Sequence, residues 1–150
     1  MAGTFTNLLY HVVFSTKLRL PIITAPLRTE LYPYMGGIIR NQNGKLLEIG
    51  GTADHVHLVV RFRPDAALSD LIRLIKANAS KWANERGLIS EGFAWQEGYD
   101  AFSVSESQLD AVRTYVQTQE THHHQKSFQE EYLDFLELQH IEYDERYIWE

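Results

Sequence analysis

The chain contains no cysteine. That one absence excludes disulfide scaffolds, thiolate zinc sites and cysteine nucleophiles together, and it fits a reducing compartment. No apolar run approaches the roughly 18–20 residues of a membrane span. The first residues, MAGTFTNLLY, lack the basic region of a signal peptide, so the expected location is the cytoplasm. Repeats and low-complexity stretches are also missing. What is present is ordinary for one globular domain: 150 residues, 44% hydrophobic and 23% charged, enough to bury a real core.

Positive charge is scarce overall, with a net charge of −6, which taken alone argues against a nucleic-acid partner. The distribution along the chain weakens that inference. Residues 1–86 hold 11 Lys/Arg against 6 Asp/Glu, or +5. Residues 87–119 hold 1 against 5, or −4, and residues 120–150 hold 2 against 9, or −7. A phosphate group responds to the local field, and the front of this chain is basic.

Residues 5–15 (FTNLLYHVVFS) are rich in β-branched and aromatic side chains and read as a strand. Thr24 followed by Ala25-Pro26 is a helix start, and that helix runs towards Asn41 with a kink or break expected at Pro33 and Gly36-Gly37. Asn43-Gly44 marks a turn before a second strand, Lys45 to Ile49, whose end Gly50-Gly51 loosens. His55 to Phe62 is a third strand, bounded by Pro64. Leu68, Leu71, Ile72, Ile75, Ala79 and Trp82 then form one helical stripe, and Gly87 ends that helix. Residues 93–104 read as strand or hairpin. A further helix starts at Ser105, where Ser105 and Gln108 have capping-box spacing. Residues 128–138 read as another helix. The order of elements gives an α+β fold, a ferredoxin-like βαββαβ sandwich with an antiparallel sheet, followed by a helix and a helical tail. Residues 1–124 form the catalytic domain in this reading, and residues 125–150 an acidic extension of it.

Two groups of residues can carry chemistry. His55 and His57 flank Val56 on a strand, so both imidazoles leave the same face, about 7 Å apart along the backbone. Such a pair can converge on one divalent metal, or it can serve only structure. On the helix after Ser105, a wheel of 100° per residue places Tyr115, Gln119 and His122 on one flank beside the apolar Leu109, Val112 and Val116. A hydroxyl, an amide oxygen and an imidazole could then reach one neighbouring site, or the polar groups could meet water. Asp54 either orients a histidine or is a turn residue. The run His122–His124 either favours a helix C-terminal dipole or adds metal-binding capacity, the dipole being the simpler account.

The ordered set of motifs resembles the single-tyrosine HUH transposases, comprising the insertion-sequence-200-like and REP-associated tyrosine transposases. The features that carry the resemblance are Tyr10-His11-Val12-Val13-Phe14-Ser15-Thr16-Lys17, Asp54-His55-Val56-His57-Leu58 and Trp95-Gln96-Glu97-Gly98-Tyr99. Phe102-Ser103-Val104-Ser105 and Tyr115-Val116-Gln117-Thr118-Gln119, with His122-His123, complete them. The resemblance implies that Tyr115 is the nucleophile and that His55, His57 and Gln119 hold Mg²⁺ or Mn²⁺. It further implies a single-stranded DNA substrate with a hairpin, a 5′-phosphotyrosine intermediate, and a homodimer in which the tyrosine helix of one subunit can complete the site of the other. Lys17, Arg19, Arg61, Arg63, Arg73 and Lys76 are the candidate phosphate contacts. The alternatives are a non-catalytic hairpin-binding protein on the same fold, and a metal-dependent hydrolase using only the His-x-His pair.

Overall fold

The computed structural model describes residues 3–119, together with Glu130, Leu133, Leu136 and Ile141. Strand β1 (Leu8–Ser15) leads through a short 3₁₀ turn at Lys17–Arg19 to helix α1 (Ala25–Asn41), β2 (Lys45–Gly51) and β3 (His55–Phe62). Helix α2 (Leu68–Arg86), β4 (Asp100–Ser103), a second 3₁₀ turn at Glu106–Gln108 and α3 (Leu109–Gln117) complete the order. The sheet runs β2-β3-β1-β4 with every neighbouring pair antiparallel. This is the expected ferredoxin-like α+β arrangement.

Strand alternation divides the sheet chemically. Val12, Phe14, Val56, Leu58, Val60 and Phe62 turn towards the core shared with α1 and α2. That core takes Leu27, Leu31, Met35 and Ile39 from α1, and Leu71, Ile72, Ile75, Ala79 and Ala83 from α2. The α2 stripe matches the periodicity, and Gly87 closes the helix in the left-handed conformation (φ 66°). Trp82 lies at the edge of the stripe and stacks on Tyr34, with ring centroids 4.8 Å apart. The opposite face of the sheet carries Leu9, His11, Val13, His55, His57 and Val59, all buried.

Five local expectations change. Helix α1 does not break at Pro33: it is one helix, begun by Thr24, whose Oγ1 accepts from Leu27 N at 3.4 Å. Proline costs this helix a backbone bond, but the stripe from Leu27 to Ile39 remains buried across that position, and tertiary packing outweighs the local loss. β1 begins only at Leu8, where pairing to Phe62 starts, and Phe5 is exposed. β2 continues through Gly50 and Gly51, which pair with His57 and Val56. Residues 93–99 form no strand or hairpin beyond a single bridge, Trp95 to Thr16. That stretch is held by side chains from elsewhere: Asn84 bonds Phe93 N and O, and Lys76 Nζ donates to the carbonyls of Gln96 and Gly98. The capping box is also absent, because Ser105 makes no capping bond and a 3₁₀ turn precedes α3. The helix expected at 128–138 lies mostly outside the described residues; Glu130, Leu133 and Leu136 are helical, and Leu136 is buried. His122, His123 and His124 lie outside them. Among the described residues, no helix is long and apolar enough to cross a membrane.

Candidate active site

Helix α3 lies on the sheet face that carries the histidines, and a glycine permits its approach. A Cβ on Gly50 would stand 2.1 Å from the carbonyl oxygen of Val116, so no side chain fits there without displacing the helix. Glu48, one turn of the pleat away, accepts from Gln117 Nε2 at 2.7 Å and pairs with Arg113 at 3.4 Å. These contacts set Tyr115 and Gln119 over β3. The Tyr115 ring meets His57 edge-on at 5.8 Å and His11 at 6.1 Å. Its hydroxyl is shielded from solvent.

His55 is fully buried, and its two nitrogens face different chemistry. Nδ1 lies 2.7 Å from Asp54 Oδ1 and 2.9 Å from Thr52 Oγ1, which itself donates to Asp54 at 3.0 Å. Burial would raise the Asp54 carboxyl, but the hydrogen bonds from His55 and Thr52 and the charges of His55 and Arg19 outweigh it, leaving Asp54 below its ordinary value. An ionised Asp54 accepts a hydrogen bond from Nδ1–H, so in a neutral imidazole the lone pair sits on Nε2. Nε2 faces Gln119 Oε1 at 3.4 Å, while Gln119 Nε2 donates to the Tyr115 carbonyl at 3.2 Å. In that neutral form two lone-pair atoms face one another, a donor set that suits a cation, whereas a proton on Nε2 makes the contact an ordinary hydrogen bond to Gln119. The His55 and His57 rings lie 5.1 Å apart. Two imidazoles and an amide oxygen fit a divalent ion that leaves positions open for phosphate oxygens. Among the described residues no cluster of three or more His, Cys, Asp or Glu is arranged for a metal.

A family model of IS200-like transposases matches residues 4–119. The chain belongs to that family. The ISDra2 transposase TnpA of Deinococcus radiodurans is 20% identical over 122 residues, spanning 78% of this chain and 87% of that protein. A crystal structure of a candidate transposase from the same species superimposes with a TM-score of 0.64 at 20% identity, covering 77% of this chain and 93% of that one. A REP-associated tyrosine transposase, solved bound to a REP hairpin, gives a TM-score of 0.58 at 11% identity over 77% of this chain and 70% of that one.

In this transposase the six candidate phosphate contacts are dispersed. Lys17 and Arg19 follow the end of β1 at which Ser15 pairs with His55, so they flank the histidine end of the sheet. Lys17 is exposed, whereas Arg19 lies 3.8 Å from Asp54. Arg61 shares the histidine face but sits at the far end of β3, bonded to Asn7 at 2.9 Å. Arg63 pairs with Asp65 at 3.3 Å. Arg73 and Lys76 belong to α2, in a groove of about 480 Å³ that also includes Phe93, Trp95 and Tyr99. That groove is separate from the histidine residues, and Lys76 spends two of its donors on backbone carbonyls there. Sequence reasoning gave no role at the site to three residues: Gly50, Thr52 and His11, the last named only within the first motif. Thr52 and His11 are single polar residues in apolar or turn segments and give no periodic signal. Gly50 was legible as a glycine, but its contact was not.

Proposed function

We propose that this transposase cleaves and rejoins single-stranded DNA at hairpin-bearing ends, in the cytoplasm, with Tyr115 as nucleophile. The observation that supports the reading is the approach of α3 to β3, with Tyr115 and Gln119 set against His55 and His57. A relative of the same fold bound to a REP hairpin supports a hairpin DNA partner. His55, His57 and Gln119 would hold Mg²⁺ or Mn²⁺, which when bound supplies Lewis-acid polarisation of a phosphate oxygen.

The chain's own residues do the rest. Asp54 and Thr52 orient His55, and the Tyr115 carbonyl turns the Gln119 amide so that its oxygen faces the histidine. Tyr115 Oη gives up its proton and forms a bond to phosphorus as the P–O3′ bond breaks, and the departing 3′-oxygen takes up a proton, so that none is gained or lost overall. One ester replaces another, so the 3′-hydroxyl of a different strand can reverse the exchange and join two DNA ends without an external energy source. A homodimer with exchanged α3 helices is compatible with this scheme but not required by it, because α3 meets the histidines of its own chain.

The test is a hairpin-bearing single-stranded oligonucleotide incubated with Mg²⁺ and resolved under denaturing conditions. A protein–DNA adduct is expected, lost in Tyr115→Phe. An adduct undiminished in that variant would remove Tyr115 from the mechanism. Hairpin binding without cleavage under any divalent ion would favour the non-catalytic reading instead.

A further inference from the structure

His11 stands near the centre of β1 and is 2% exposed, a polar ring in a strand whose other residues are Leu, Val and Phe apart from Tyr10 and the terminal Ser15. In the sheet register it pairs with Val59, and Val13 pairs with His57, so His11 and His57 are diagonal neighbours on one face. The rings close that diagonal. They stack at 5.1 Å and 25°, and His11 Nε2 lies 2.8 Å from His57 Nδ1. Phe102 from β4 and Tyr115 from α3 pack on the other sides of His11, at 6.0 and 6.1 Å. The ring therefore cannot turn to solvent without disturbing three elements.

We propose that His11 is the positioning residue that makes His57 a metal ligand, by accepting a hydrogen bond from His57 Nδ1–H and so leaving the lone pair on His57 Nε2. This rests on the reading of His57 as a ligand. The bond between the two rings has two tautomeric forms. In one, His57 donates from Nδ1 and its Nε2 can ligate. In the other, His11 donates, the His57 proton sits on Nε2, and ligation is blocked. Histidine ligands generally have their second nitrogen fixed by a partner, most often a carboxylate or a carbonyl. His55 has such a carboxylate in Asp54, and His57 has an imidazole in the same role. The two histidines are thus oriented by unlike groups: an anion behind His55 and a neutral acceptor behind His57. A neutral acceptor fixes the ring without adding a second negative charge to a site that must receive a phosphate.

The test uses Mn²⁺ as the probe on the full chain, with folding followed by circular dichroism. Titration of free Mn²⁺ by electron paramagnetic resonance should give an affinity roughly 10- to 100-fold lower for His11→Phe than for the parent. His11→Gln, whose amide oxygen can still accept, should recover most of that loss. Electron spin-echo modulation should count two directly bound imidazole nitrogens, and ¹⁵N spectra with Mg²⁺ should show His57 protonated at Nδ1. Parent-like Mn²⁺ affinity in His11→Phe, alongside loss in His57→Ala, would overturn the role of His11. Three bound imidazole nitrogens would overturn it differently, by making His11 a ligand. Unchanged affinity in His57→Ala would instead overturn the reading of His57 on which the inference rests. If His11→Phe fails to fold, the His57 tautomer and the His11→Gln affinity still decide the matter.

Discussion

At the scale of single residues, burial of a titratable ring has a consequence for stability. Burial lowers the His11 pKa from 6.5 to about 4. Between those values the unfolded chain binds a proton that the folded chain refuses, so stability falls as pH drops from 6.5 and levels off below about 4. The shift corresponds to about 3 kcal/mol over that window. His11→Gln should therefore unfold in urea with a shallower loss of stability between pH 7 and pH 4 than the parent; an equal loss would show that His11 takes up no proton on unfolding. His11 faces His57 from β3 and Tyr115 from α3, so the comparison belongs to the metal-free protein. The candidate site shows what a sequence exposes at this scale. His55 and His57 announce themselves because they alternate with Val56 on a strand, and Tyr115 and Gln119 because they share a helical flank. His11 has no such partner nearby: its contact spans 46 residues and exists only once the register of β1 on β3 is set.

At the scale of elements, the site depends on how closely α3 approaches the sheet, and two glycines make the point with opposite signs. Gly50→Ala puts a methyl group 2.1 Å from the Val116 carbonyl oxygen, and backbone rather than a flexible side chain must give way. Overpacking of this kind costs about 1–3 kcal/mol and should lift α3 from β2. Adduct formation with hairpin DNA should fall sharply while circular dichroism stays near that of the parent; retained adduct formation would show that the approach of α3 is not needed. Gly37 lies inside α1 with only the Arg40 side chain near its pro-Cβ position, at 3.8 Å. Gly37→Ala should therefore raise stability by about 0.5–1 kcal/mol, read from urea unfolding. The sequence signal of the two glycines is alike, and only the packing above them separates them. The same limit explains residues 93–99, which read as strand from their aromatics. Asn84 and Lys76 from α2 take up Phe93 N and O and the carbonyls of Gln96 and Gly98, so the stretch meets β1 only around the Trp95 bridge, where Ala94 O accepts from Lys17 N and Gln96 N donates to Ser15 O. By contrast α2 and β3 were legible throughout: the helix buries one face with an unbroken period of 3.6 residues, and the strand alternates its apolar core face with the histidine face at a period of 2.

At the scale of the whole molecule, charge is segregated along the chain, and that segregation bears on how DNA is held. The +5 of residues 1–86 includes Lys17 and Arg19 at the histidine end of the sheet, whereas the −7 belongs to residues 120–150. Exposed charges interact over about one Debye length, roughly 8–10 Å at moderate salt and roughly 30 Å at 0.01 M. At low salt the acidic segment should therefore oppose the approach of a phosphate backbone wherever it sits on so small a protein. Replacing Glu142, Asp144 and Glu145 by Gln, Asn and Gln moves the net charge from −6 to −3 without touching residues 1–119. Hairpin affinity, read by fluorescence anisotropy, should rise at 20 mM salt and converge on the parent value near 0.5 M, where screening removes the difference. Lys17→Ala should act in the opposite sense, weakening binding and reducing the salt slope by about one. A triple variant that binds no better at low salt would mean that the acidic segment does not act on DNA through its field. A gain that persisted at 0.5 M salt would mean that those side chains block the DNA surface by contact, a short-range effect that salt does not screen.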